Sequence, residues 1–399
     1  MTIEANAVER PLLPILVALS GAHLLNDVIQ SMIPAMYPLF KQNYALSFAQ
    51  IGLITLAFQV TSSLLQPVLG FITDRRPWPY AMVLGMGATL SGLLGLAFAG
   101  NYVVILMSAA MVGLGSAVFH PEATRMARHA AAGQQGFAQG IFQIGGHAGY
   151  AIGPLLAAGV VMPRGQSSLS LVSVVALAAM VLMVWTGTRY ARMRRAQATR
   201  STTSGTSLGG HGLGRGRILL AMAVLMILLL SKNAYTAAFT SYYTFYLIER
   251  FGVTVQASQI LLFLYLVVGA FGVIAGGMAG DRIGRERIIW ISILGVLPFA
   301  LMLPYASLFW TAVLSVVISF IIASAFSSIL IFAIDLVPHR VGLVGGLFYG
   351  LSFGLGGIAA GALGLAADQI GIIAVFKLCA WLPALGLLAA LLPRTGTVR

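Results

Sequence analysis

GFITDRRP (70–77) and GMAGDRIGR (277–285) share one pattern, a glycine four residues ahead of an Asp-Arg pair. The offset is 207 in both registers, from 277 − 70 and from 281 − 74. Each copy closes a long apolar segment. The correspondence extends further: Leu25 and Asn26 fall opposite Lys232 and Asn233 at 207, and Phe142 falls opposite Phe348 at 206. The chain reads as two halves built on one plan.

Hydrophobic residues make up 59% of the 399 positions and charged residues only 8%. A soluble domain carries about 25% charged residues. Apolar runs of about 20 residues, long enough to cross about 30 Å of hydrocarbon, recur along the chain. They are continuous rather than alternating, which selects helices over an outer-membrane barrel. The expected fold is an all-α membrane protein with twelve transmembrane helices in two six-helix, pseudo-symmetric bundles. The expected spans are 14–40, 48–73, 79–99, 102–126, 136–162 and 168–187, then 217–247, 254–280, 286–304, 307–334, 341–366 and 370–392. Domain boundaries follow: an N-terminal bundle over 1–187, a basic and Ser/Thr/Gly-rich cytoplasmic linker over 188–216, and a C-terminal bundle over 217–399.

An even number of spans puts both termini on one side. Of the 23 Lys and Arg residues, only Lys41, Arg164 and Arg250 fall on the opposite side, and Lys232 and Lys377 fall inside spans. The remainder crowd the side of the termini, which the positive-inside rule makes cytoplasmic. The net charge of +13 is therefore a topology signal and gives no reason to expect nucleic acid. Cys379 lies in the last span and has no second cysteine to pair with. The first apolar stretch is too long for a cleavable leader and keeps Asp27 in its middle.

Ionisable groups at the bilayer centre cost about 2.5–3.5 kcal/mol on insertion scales, so each needs a reason. In the first span His23, Asn26, Asp27 and Gln30 cluster, with His23, Asp27 and Gln30 on one helical face. Asp27 lies roughly 20 Å from the cytoplasmic entry and Lys232 about 22 Å from its own, so both sit near the midplane. Lys232 heads a stripe with Tyr235, Phe239, Tyr242 and Tyr246. It suits an anionic headgroup, or it merely neutralises Asp27. The fourth span ends in His120, Glu122 and Arg125, and the fifth carries Gln139, Gln143, His147 and Tyr150 on one face. Proton coupling is expected at Asp27, Glu122 and His120. Substrate binding is expected at His23, Asn26, Gln30, Gln143, His147, Tyr150, Lys232, Tyr235 and Tyr242. No second His stands three or four residues from any of these histidines, so no metal site and no cofactor is expected. The glycine of each Asp-Arg turn is expected to let two helices approach closely.

The paired turns, the twelve spans and the linker resemble the major facilitator superfamily. HLLNDVIQSMIPAMYPLF (23–40), FHPEATRMAR (119–128), FQIGGHAGYAIGPLLAA (142–158) and SYYTFYL (241–247) resemble the bacterial fosmidomycin resistance transporters. ILGVLPFALMLPYASL (293–308) and ASAFSSILIFAIDLVPHRVGLVGGLFYG (323–350) fit the same family. The resemblance implies proton-driven drug export across a bacterial inner membrane, with phosphonate antibiotics among the substrates. It also implies a gating motif at Gly70, Asp74, Arg75, Gly277, Asp281, Arg282, Gly284 and Arg285. The first copy departs from the motif, with Pro77 and Trp78 where Gly and Arg are usual.

The expected function is thus a proton-coupled antiporter, not an enzyme. The alternative is a proton-coupled transporter of a natural organic anion or phosphorylated metabolite. The expected partners are a small-molecule substrate, protons and membrane lipid, and the expected state is a monomer.

Overall fold

The computed structural model of the protein describes residues 12–75, 78–131, 135–197, 214–337 and 341–393. Among these residues every regular element is helical. The first half holds α1 (Leu13–Ala35), α2 (Tyr37–Tyr44), α3 (Phe48–Arg75), α4 (Ala81–Ala97), α5 (Tyr102–Ala130) and α6 (Gln135–Leu156). A π-helical segment (Ala157–Val161), the single turn α7 (Met162–Arg164) and a 3-10 segment (Gln166–Val172) lead into α8 (Ser173–Gln197). The second half holds α9 (Arg215–Phe251), α10 (Val255–Ile283), α11 (Arg285–Ile293), α12 (Leu297–Met302), α13 (Leu308–Ala323), α14 (Ala325–Leu336), α15 (Val341–Ile370) and α16 (Ile372–Cys379).

The duplication survives in the helix starts. Phe48 of α3 and Val255 of α10 are 207 apart, while Tyr102 of α5 and Leu308 of α13 are 206 apart, as are Gln135 of α6 and Val341 of α15. Local chemistry sets several of these boundaries. Asn101 caps α5 by accepting from the Val104 N–H, and Thr254 caps α10 by accepting from Ala257. Pro298 and Pro304 interrupt the expected span 286–304, which becomes α11, a 3-10 turn, α12 and a second 3-10 turn. A proline has no N–H to give the helix ladder. The last expected span likewise changes from α16 to a 3-10 segment (Leu382–Leu391) that carries Pro383.

Among the described residues nine helices are long and apolar enough to cross a membrane. Three shorter apolar helical stretches, Phe48–Ser63, Ala81–Ala97 and Gly354–Ile370, overlap the three remaining expected spans, the last of them running past residue 366. Beside the buried core, many large apolar chains also face outward: Val181 is 72% exposed, Leu219 69% and Phe309 69%. A water-soluble surface would not tolerate so many. This is a multi-pass membrane protein.

Helix α8 continues to Gln197, well into the segment expected as linker, and the rest of that segment up to residue 213 lies outside the described residues. The two halves meet where α3 packs along α15 and α6 along α10. One core cluster joins both halves, and a second lies within the second half around Leu225, Ile289 and Phe332.

Candidate functional site

Asp27 is held on three sides by its own helix. Its Oδ1 accepts from Asn26 Nδ2 at 2.9 Å and from Gln30 Nε2 at 2.9 Å, while Oδ2 stands 3.3 Å from His23 Nε2. The other His23 nitrogen reaches α6: Nδ1 lies 2.8 Å from the Phe142 carbonyl oxygen, and the ring stacks on Phe142 at 4.1 Å between centroids. A carbonyl only accepts, so Nδ1 carries a hydrogen; a carboxylate faces Nε2, so His23 and Asp27 hold a further proton between them. Helix α6 approaches this closely because Gly145, Gly146 and Gly149 lack a Cβ. One added at Gly145 or Gly149 would strike the backbone of Ser20 or Leu24, and one at Gly146 the His23 ring itself.

His120 comes to the same cluster from α5. Its ring meets the His23 ring edge-on at 5.2 Å, and its Nδ1 lies 3.1 Å from the Ser116 carbonyl oxygen one turn back. His147 on α6 repeats the pattern, with Nδ1 2.8 Å from the Gln143 carbonyl oxygen. It lies close enough to feel the charges of Asp27 and His23 in the first half and of Lys232 in the second. Among the described residues His147 makes no direct contact with Asp27 or Lys232; its hydrogen bond is to its own helix.

Lys232 does not neutralise Asp27, whose oxygens are taken by His23, Asn26 and Gln30. Among the described residues no carboxylate bonds Lys232; its ammonium lies 5.5 Å from the Phe326 ring centroid. Glu122 differs. It is fully buried, Oε1 accepts from Arg125 Nη1 at 2.9 Å, and Oε2 has no hydrogen-bond partner among the described residues.

The upper tyrosines stand apart from the polar centre. Tyr235 is buried edge-on against Phe239, and Tyr242 is fully buried with its hydroxyl donating to the Ala360 carbonyl at 2.6 Å. Expected as cavity-shaping groups, both pack at helix interfaces, Tyr242 with its polar tip on a backbone carbonyl. Half-buried Tyr150 lines a cavity of about 10 Å³, room for about one water, with Thr55, Gln59, Thr240 and Ser241. A larger pocket of about 380 Å³ lies away from the charged cluster, on an apolar wall beside the π-helical segment.

The second Asp-Arg turn is altered in detail. Gly277 meets nothing within 4 Å; the close approach is made one residue earlier by Gly276, where an added Cβ would strike Ser324. One residue turns the helix by about 100°, enough to exchange the packed face for an open one. Gly284 ends α10 with φ 95°, a backbone conformation that favours glycine. Arg282 is exposed, and Arg285 pairs with Asp335 of α14. The side chains of Asp74, Arg75, Gln139 and Asp281, like the surroundings of Gly70, lie outside the described residues.

Sequence reasoning missed the residues that close the end opposite the termini. Asp368 at the end of α15 accepts from the Phe48 and Ala49 N–H groups, at 2.7 and 2.8 Å, and so caps α3 of the other half. Beside it Lys41 lies 4.1 Å from the Phe48 ring centroid and donates to the Leu46 carbonyl. Burial pushes the Lys41 ammonium below its usual range, while Asp368 and Glu249 pull it back. Deeper in, Gln259 Nε2 donates to the Ala35 carbonyl at 2.8 Å across the halves. An isolated acid at the end of a span was the only sequence signal for Asp368.

A family model described as Major Facilitator Superfamily matches residues 19–361. The chain is 50% identical over 379 residues to the fosmidomycin resistance protein of Escherichia coli (strain K12), covering 95% of this chain and 92% of that one. It is 36% identical over 400 residues to the uncharacterized MFS-type transporter YfnC of Bacillus subtilis (strain 168), covering 100% and 98%. Among solved structures, a bacterial homologue of the human lysosomal transporter Spinster, inward-facing and occupied, aligns with TM-score 0.74 at 14% identity over 95% of this chain and 94% of that one. The nucleoside transporter NupG aligns with TM-score 0.71 at 14% identity over 94% and 98%. At such identities the structural likeness speaks for the fold alone.

Proposed function

Because the chain belongs to the major facilitator superfamily and is a transporter, we propose that it exports anionic drugs of the fosmidomycin type across a bacterial inner membrane in exchange for protons. Twelve spans in two bundles rock about the central polar layer, with both termini cytoplasmic. The 50% identity to a fosmidomycin resistance protein supports the substrate class. The observation that carries the reading is Lys232, a half-buried cation inside a helix bundle that no described carboxylate bonds. A buried ammonium without a counter-ion is costly, and an anionic substrate would supply the missing charge.

The proton side of the exchange rests on Asp27. Its carboxylate shares a proton with His23, and His147 lies within electrostatic range of both Asp27 and Lys232, so loading one centre alters the electrostatics of the other. His120 relays between that pair and the cytoplasmic side. Glu122, tied to Arg125, is the weaker candidate for the carrier. Asn26, Gln30, Gln143 and Tyr150 shape the space around the substrate; the buried Asn26 Oδ1, without a partner among the described residues, is a free acceptor there.

The test is drug susceptibility in a strain lacking its own pumps, with and without a protonophore. The reading requires fosmidomycin tolerance that the protonophore removes and that Lys232→Met abolishes. Tolerance untouched by both would refute it.

A further inference from the structure

The cluster of His23, Asp27 and His120 has a second chemical capability. One ligand atom from each lies within 4.8 Å of the other two. Histidine spacing along any single helix disfavours a metal, but these ligands converge from two helices, α1 and α5. We propose that they form a binding site for a divalent transition-metal ion of the zinc class, with His23 Nε2, His120 Nε2 and one Asp27 oxygen as ligands.

Three features point beyond mere proximity. First, both histidines present the same nitrogen for the same reason. His23 Nδ1 is spent on the Phe142 carbonyl at 2.8 Å and His120 Nδ1 on the Ser116 carbonyl at 3.1 Å, which leaves each Nε2 as the atom free to coordinate. Metal-bound imidazoles are held in this way, the far N–H donated to a carbonyl or carboxylate that fixes tautomer and ring plane.

Second, the carboxylate is divided between two tasks. Asp27 Oδ1 accepts from Asn26 and Gln30, so Oδ2 is the oxygen left for an ion. Ligating carboxylates are in turn hydrogen-bonded in just this manner. Third, the 3.3 Å between His23 Nε2 and Asp27 Oδ2 matches the edge of a zinc tetrahedron, which is about 3.4 Å for bonds of about 2.0–2.1 Å. The widest separation, 4.8 Å, must close by roughly 1.4 Å, within reach of a rotation of the His120 ring.

Two imidazoles and a carboxylate suit zinc and its neighbours better than magnesium or calcium, which take oxygen. Three protein ligands leave a fourth position for water or for an anionic oxygen. This proposal goes beyond the transport reading, though the same atoms serve it: an ion there displaces the proton that His23 and Asp27 share.

The experiment is equilibrium dialysis of full-length protein, purified in detergent without a polyhistidine tag, against Zn²⁺ alone at neutral pH. One ion per chain is expected. His120→Gln and His23→Gln should each weaken binding by about tenfold or more, while His129→Gln, an exposed histidine on α5, should leave it unchanged. Should a variant aggregate, Co²⁺ added to the wild-type protein keeps the question open to an answer: its visible spectrum should report four-coordinate nitrogen and oxygen ligation. No stoichiometric ion, an affinity indifferent to His23 and His120, or an octahedral Co²⁺ spectrum overturns the proposal. No gradient is involved, so a protein that ignores zinc yet exports drug removes the metal site and leaves the transport reading standing.

Discussion

At the scale of single residues, Asp27 and Lys232 carry opposite charges and do not pair with each other. Asp27→Asn retains the hydrogen bonds available to an amide while removing the carboxylate that shares a proton with His23. Proton-driven export should therefore be lost while substrate still binds, read as drug binding in detergent beside transport in proteoliposomes. Unchanged export in this variant would leave Glu122 as the carrier. Lys232→Met keeps the length of the side chain and discards its charge, so it should raise KM by about tenfold or more, since hydrogen bonds to charged groups are worth about 1.5–3 kcal/mol. Lys232→Arg should recover part of that loss. The polar residues themselves were legible in the sequence, because an ionisable group in an oily span is conspicuous. Their partners were not. That His23 turns one nitrogen to a backbone carbonyl 119 positions later depends on how two helices lie against each other, and no local pattern encodes it.

At the scale of helices, small residues decide which faces touch. The α1–α6 contact closes over Gly145 and Gly149, and this contact is what aims His23 at Asp27. Gly145→Val should destabilise the protein by about 1–3 kcal/mol through overpacking, read as a lowered midpoint of thermal unfolding in detergent. The second half offers a paired comparison. Gly276→Ala should cost a similar amount because its new Cβ meets Ser324, whereas Gly277→Ala points into open space and should be neutral or slightly stabilising. Equal midpoints for the two would contradict the described packing of α10 on α14. The motif drew the eye to Gly277 because it matches Gly70 in register. Contact passed to its neighbour because helical phase, unlike spacing, depends on where the partner helix lies. The broken spans at Pro298, Pro304 and Pro383 show the same limit: hydropathy located the crossings, while the prolines set their internal form.

At the scale of the whole molecule, the two halves are joined at the end opposite the chain termini. Asp368 caps α3 across the interface, and beside it the Tyr242 hydroxyl reaches the Phe48 carbonyl of the other half at 3.4 Å. Alternating access requires this end to open, so Asp368→Ala should shift the population toward the state open there. Spin labels on the two sides of that seam should report longer distances in the variant, with the wild-type distribution as reference. The duplication and the oily composition make the architecture readable in the sequence alone. The closure did not announce itself, because its partners are 320 residues apart and neither is unusual alone.

The central claim is that an anion held at Lys232 moves against protons carried at Asp27. Fosmidomycin flux in proteoliposomes, with the pH gradient imposed first in one direction and then in the other, tests it most directly. The account predicts that drug moves toward the acidic compartment in both cases, and that Asp27→Asn abolishes this response. Flux that ignores the direction of the gradient, or a gradient response that survives in Asp27→Asn, would contradict it.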